Sequence, residues 1–410
     1  MDGRLEELVR KQYRYIVPDL AEETYDRLIE FMNSNTELNS VSIVTLKALT
    51  KVGKQLCRSY GEKVEDAFWE NLYDYNAYGA RVLTDKSMPE HESKIKQVKG
   101  VKPNYLASHF WMNASDSAFE LYRKANKRRD TKKKEKHRTI FMSAGLNALS
   151  LLLNADDDNY FDPILRNCKE LRRRALYCFN FGGDIRGAEM DYQLVLAEAE
   201  VYDHMGEFES TRTNPSSEKI RELELTRLEA LEAAAKKAYV VYSSTKRSEK
   251  GKWFDRVVDS VTEASLEYLE LEKVDEAFAV AGKLGMGNEF AATSDPYPNE
   301  KAADLWLKMA EKLEDIDLEK MVEATEKAAI TTIIMYFSPV IAKRKKINYI
   351  EKAIGLRKIA LQQALDLGLD PKPRINSLLV HYQHACDDKP RNARKYQGEI
   401  AKYQAMMAEL

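Results

Sequence analysis

Four carboxylates crowd into seven residues at Asp156, Asp157, Asp158 and Asp162. Asp157, Asp158 and Asp162 read as DDxxxD, a spacing whose oxygen ligands would hold Mg²⁺ against a diphosphate. The segment is no EF-hand loop, because the central glycine and terminal glutamate are missing. The plainer reading is the end of one helix followed by an aspartate-capped next one, with Pro163 in its first turn. No second acidic motif accompanies it, and the plainer reading is preferred. His381, His384 and Cys386 form a second cluster. On a helix the two histidines are i, i+3 neighbours that could share a metal. No fourth ligand falls at a known spacing, so ordinary helix histidines are expected. The third cluster is basic: Arg123 to Arg138 holds ten Lys or Arg against Asp130 and Glu135. Lys127, Arg128, Arg129, Lys132, Lys133 and Lys134 are its candidate contacts for a phosphate backbone or an acidic partner. The run lacks aromatic interleaving, so base stacking is not indicated, and a solvated helix extension or loop is the simpler expectation.

Other chemistries leave no trace. Gly182-Gly183 and Gly285-Met286-Gly287 follow helical stretches and match no phosphate-binding loop; neither a GxSxG elbow nor a catalytic cysteine context occurs. The four cysteines lack CxxC spacing, which suits reduced thiols. No cofactor is expected. The formal charge is −2, which argues against a globally basic nucleic-acid binder while leaving a local patch open. The N-terminus carries charge from Asp2 onward and shows no signal peptide. The longest uncharged run, Ala328 to Ala342, is too short to span a bilayer and reads as a buried helix. A soluble, cytoplasmic protein is expected.

The elements that must position these groups are helical throughout. With 17 Gly and 11 Pro in 410 residues, the chain is poor in turn residues, and apolar side chains recur at helical spacing nearly everywhere. About sixteen helices follow from that periodicity. The clearest carries Ile220, Leu223, Leu228, Leu231, Ala235, Ala238 and Val241 on one stripe. Short breaks favour antiparallel neighbours. Residues 1–83 form an N-terminal helical region, and 84–104 a linker or long loop punctuated by Pro89, Gly100 and Pro103. Residues 105–410 form the main helical array, with a candidate sub-boundary at 211–218.

Three stretches carry a recurring hairpin signature. The first is Phe179-Asn180-Phe181-Gly182-Gly183-Asp184 followed by Ala188 and Tyr192. The second is Ala199, Tyr202, Gly206 and Phe208, and the third is Ala264, Ser265, Tyr268 and Ala277, where Glu272 stands at the usual turn glycine. Their pattern of small, aromatic and turn residues resembles the tetratricopeptide repeat (TPR), although the spacing from Gly183 to Gly206 is shorter than a regular repeat. The resemblance implies an all-α, TPR-like helical-hairpin solenoid or superhelix. Such scaffolds bind protein segments along a concave face lined by successive first helices. Tyr177, Asn180, Tyr202, His204, Glu267 and Tyr268 are the groove residues this implies. The leading expectation is a non-enzymatic scaffold or adaptor for a protein or peptide partner. One alternative is a nucleic-acid or ribonucleoprotein component using the basic run. A second follows from the resemblance of Asp157, Asp158 and Asp162 to the aspartate-rich motif of all-α prenyltransferases, and is a Mg²⁺-dependent diphosphate enzyme. The sequence sets no oligomeric state.

Overall fold

The computed structural model describes residues 66–98, 102–153, 161–178, 185–285, 288–290, 297–339, 341–388 and 393–410, with Ile43, Lys47 and Thr50. The side chains of Ala67, Phe68, Asp162, Arg247 and Tyr297 are excepted. Among these residues the protein is all-α, and the one β-type contact is an isolated bridge between Leu284 and Phe290. The chain divides into two compact units, Met1–Thr213 and Asn214–Leu410.

The first unit holds α1 (Asp66–Thr84), α2 (His91–Ile95), α3 (Pro103–Lys127), α4 (Thr131–Leu153), α5 (Phe161–Cys178) and α6 (Ile185–Ser210). Packing follows chain order: α1 on α3, α3 on α4, α4 on α5 and α6, and α5 on α6. The stretch from 84 to 104 carries α2 and joins two helices that pack on each other. Pro103 opens α3, where a missing N–H costs nothing. The apolar faces of α3 and α4 meet through Leu106, Phe110, Ala114, Ala118, Phe141, Ala144 and Ala148. Burying a large side chain in such a core contributes about 1.5–3 kcal/mol.

The second unit holds α7 (Ser217–Ser244), α8 (Arg247–Glu270), α9 (Val274–Ala281), α10 (Tyr297–Leu313), α11 (Leu318–Phe337), α12 (Lys343–Asp366), α13 (Lys372–Asp388) and α14 (Ala393–Glu409). Here too each helix packs chiefly on its chain neighbours, with α8 also meeting α10. The stripe expected on α7 is the buried one: Leu228, Leu231, Ala235, Ala238 and Val241 are all in the core. The uncharged run forms the second half of α11 and its entry into α12; Ala328, Ala329, Ile333, Met335 and Tyr336 are buried. Ser338 ends α11 immediately before Pro339, whose ring disfavours helix in the preceding residue. No described helix is long and apolar enough to cross a membrane.

The hairpin signature fares unevenly. Phe179 to Asp184 lies outside the described residues. Gly206 does not turn the chain, because α6 runs through it to Ser210. At the third stretch a helical turn does form: α8 ends at Glu270, Glu272 adopts φ 57°, and α9 begins at Val274. The amide of Lys273 reaches Tyr268 O at 2.8 Å and that of Glu272 reaches Leu269 O at 3.0 Å. These two bonds close a Schellman motif with glutamate in the left-handed position usually given to glycine. The α3–α4 hairpin, spanning 103–153, is longer than the roughly 34 residues of a TPR unit. The helices are hairpins in series of unequal length, and the α8–α9 pair, from Arg247 to Ala281, is close to that repeat's length.

Candidate functional site

A pocket of about 600 Å³ opens in the first unit, lined from α1, α3 and α5. Asn113, Asp116, Ser117, Glu120 and Arg123 recur every three or four residues on α3 and so share one face. Arg173, Arg174 and Tyr177 do the same on α5, while Trp69 and Leu72 give the pocket an apolar floor from α1. Thr50 completes the lining and donates to Asn76 Oδ1 at 2.7 Å.

Arg174 is the hub. It donates to Asp116 across the α3–α5 interface and to Glu170 on its own helix at 2.7 Å. Its guanidinium lies 5.2 Å from the Phe119 ring centroid, a cation–π distance. Burial works against its charge, but Asp116 and Glu170 outweigh that and raise its pKa. Arg173 pairs with Glu170 at 2.7 Å, and that bond, against the opposing effect of burial, holds the Glu170 carboxyl below its ordinary range. Arg123 pairs with Glu120 at 3.0 Å, near the Tyr177 hydroxyl. Tyr177 stacks edge-on with Phe119 at 5.9 Å and with Tyr122 at 6.2 Å. It remains 54 % exposed beside Leu176, which is 59 % exposed. The site thus combines aromatic faces with arginines that are each paired with a carboxylate.

Of the groove residues expected from sequence, Tyr177 lines this pocket. Asn180 lies outside the described residues. Tyr202 and His204 sit half-buried on α6, where burial first and then Glu198 push the Tyr202 hydroxyl up. Glu267 and Tyr268 belong to the second unit. Glu267 is bound by Arg227, and Tyr268 is 5 % exposed with its hydroxyl donating to Glu232 at 3.1 Å. Tyr268 therefore presents almost no surface to a partner. Arg123 was read only as the start of the basic run, and Arg173 and Arg174 went unread, although Arg172-Arg173-Arg174 one turn before Tyr177 was a visible signal.

The basic run extends two helices, as the end of α3 and the start of α4, about a tight turn: α3 ends at Lys127, Arg129 takes φ 58°, and α4 starts at Thr131. Asp130 N bonds Ala125 O at 3.0 Å and Arg129 N bonds Asn126 O at 3.1 Å, again a Schellman closure. Asp130 Oδ1 then caps the Lys133 amide at 3.0 Å. Lys127, Arg128, Arg129, Lys132 and Lys133 are exposed, and Lys134 lies 5.6 Å over the Tyr122 ring.

Asp157 and Asp158 lie outside the described residues, and of Asp162 only its place in the first turn of α5 is described. No group of three His, Cys, Asp or Glu suited to a metal occurs among the described residues. His381 is buried on α13; desolvation, then Arg357 and His384, push its pKa down to about 4. His384 instead packs against the rings of Tyr336 and Phe337, at 6.0 and 5.1 Å. Cys168 and Cys178 are buried thiols pushed up to about 12 by desolvation, so neither is poised as a nucleophile.

No family model matches the chain, and no curated protein does. Among solved structures the chain is similar to a circular tandem repeat protein with novel repeat topology and enhanced subunit contact surfaces. The identity is 13 %, the TM-score 0.34, and the match covers 99 % of this chain and 96 % of that one. A score that low does not establish a shared fold.

Proposed function

We propose that the protein is a non-enzymatic helical-hairpin scaffold that binds a protein or peptide segment in the α1–α3–α5 pocket. The observation that carries this reading is the pocket lining, where Trp69, Phe119 and Tyr177 stand among Arg123, Arg173 and Arg174. Trp, Tyr and Arg are the residue types that dominate binding energy at protein interfaces. Their pre-set ion pairs reduce the side-chain entropy lost on association. Tyr177 supplies an exposed aromatic ring at the pocket, and Arg123 and Arg173 the charge beside it. A fitting segment carries an apolar or aromatic side chain next to a carboxylate. Such a scaffold acts in the cytoplasm as an adaptor.

Selection from a displayed peptide library on the full chain tests this. Enriched peptides should pair an acidic with an aromatic or large apolar residue. Tyr177→Ala with Arg123→Ala should weaken them at least about tenfold, as expected for interface anchors. Peptides that bind the double variant as well as the parent would overturn the pocket assignment.

A further inference from the structure

We infer that the turn joining α3 to α4 is a docking surface for the phosphate backbone of a nucleic acid, separate from the peptide pocket. Five exposed cations, Lys127, Arg128, Arg129, Lys132 and Lys133, gather within seven residues of a single tight turn. The nearby carboxylates are already engaged. Asp66 takes Arg128 at 2.5 Å and Lys124 at 3.6 Å, Asp130 caps the Lys133 amide, and Glu135 holds Arg138 at 2.5 Å. The side chains of Arg129 and Lys132 form no hydrogen bond or ion pair among the described residues. The patch therefore keeps an excess positive charge on a chain whose formal charge is −2.

What surrounds the cations selects the partner. No large exposed apolar side chain lies on this turn, and the Tyr122 ring under Lys134 is buried. A protein partner would find no anchor to fill a pocket, and such anchors carry most of the affinity in protein interfaces. A lipid surface would find one electrostatic signal and no apolar one, where stable attachment takes two. A nucleic-acid backbone needs neither, because released counterions alone drive its association with clustered cations. The absence of a stacking platform makes the contact indifferent to base sequence.

The test uses the full chain and a labelled mixed-sequence DNA duplex of about 30 base pairs, with an RNA duplex in parallel, titrated by anisotropy from roughly 50 to 200 mM salt. The parent should bind in the micromolar range or tighter at the lowest salt. The combined change Lys127→Gln, Arg129→Gln, Lys132→Gln and Lys133→Gln should weaken binding at least about tenfold and shrink the salt slope by about 3 to 4, since each neutralised phosphate contributes about 0.9. All four residues are exposed, and an unchanged circular-dichroism melt confirms that the variant folds. A control removes the exposed basic start of α12 with Lys343→Gln, Arg344→Gln and Lys345→Gln, and should cost clearly less. The inference is overturned by failure of the parent to bind either duplex, by an equal loss in the control, or by binding to phosphatidylserine vesicles in place of nucleic acid. None of these outcomes bears on the peptide pocket, whose residues are untouched.

Discussion

The two units solve one electrostatic problem in opposite ways. In the first, a single cation is shared by two carboxylates: Arg174 lies between Asp116 and Glu170. In the second, a single carboxylate is shared by two cations: Glu326 Oε1 is 2.9 Å from Arg374 and 3.7 Å from Arg357. The first triad opens onto a pocket, and Asp116 and Glu170 both keep solvent contact. The second is the more closed of the two only at Arg357, which keeps 9 % side-chain exposure against 17 % for Arg174. Arg357 is buried with its Nε unpartnered among the described residues, and His381 Nδ1 nearby on α13 is unpartnered too. Burial pushes the Arg357 pKa down against the pull of Glu326. An ion triad at a pocket mouth can exchange partners with a ligand, whereas one packed between α11, α12 and α13 holds the helices together.

Removing the shared group should expose that difference, with the largest effect in the more closed triad. Glu326→Gln leaves two guanidinium groups facing each other with no counter-charge. Breaking a buried pair in this way costs about 3–5 kcal/mol. Because Glu326 retains some exposure, a loss of about 2–4 kcal/mol in chemical denaturation is expected. Arg174→Gln should cost less, about 1–2 kcal/mol, because Asp116 and Glu170 are half-buried and can turn to water more readily than the buried Arg357. Equal losses would abolish the distinction between an open and a more closed triad.

The second prediction concerns pH. His381 has a folded pKa pushed from 6.5 down to about 4 by burial, Arg357 and His384. Between those values the unfolded chain takes up a proton that the folded chain refuses. Stability should therefore fall as the pH drops from about 6.5 to about 4 and lose no more from this group below that, by at most about 3 kcal/mol. Carboxylates titrate in the same window, so the readout is the difference between the parent and His381→Asn in denaturant midpoints across pH. Parallel curves would show that the second triad leaves His381 free to ionise.

Much of the fold was legible because burial follows helical periodicity. The α7 stripe is buried from Leu223 to Val241 where apolar spacing placed it, and the uncharged run of α11 is buried on one face, with Ile330 and Phe337 exposed. The site was less legible for a physical reason. Asp116, Glu120, Arg123 and Arg174 make a pocket only because α3 and α5 converge, and spacing along one helix says nothing about the facing one. Tyr177 was reachable as an aromatic near a helix end, while Tyr268, of the same type, is buried under its bond to Glu232. Gly206 misled for the opposite reason. Nothing stands within 4 Å of a Cβ built there, and a helix tolerates glycine at modest cost when its neighbours propagate it.

The smallest expected effect separates the units most cleanly. Arg129 and Glu272 occupy the same left-handed position in two Schellman turns, at φ 58° and 57°. An L-residue there costs roughly 1–2 kcal/mol, part of which glycine forfeits through its own unfolded-state entropy. Arg129→Gly and Glu272→Gly should each stabilise the fold by a few tenths to about 1 kcal/mol in thermal unfolding. Backbone geometry makes the two changes equivalent, but their surroundings do not. Near Glu272 the charges are matched, with Lys273 on Glu276 at 2.9 Å and Lys320 on Asp275 at 3.5 Å. Near Arg129 they are in excess. Arg129→Gly should therefore lower the salt slope of duplex binding by about 1 while it stabilises the chain, whereas Glu272→Gly should stabilise it and leave binding alone. If both variants gain stability and neither changes the slope, Arg129 is a turn residue only, and the charge asymmetry between the two hairpins has no consequence for binding.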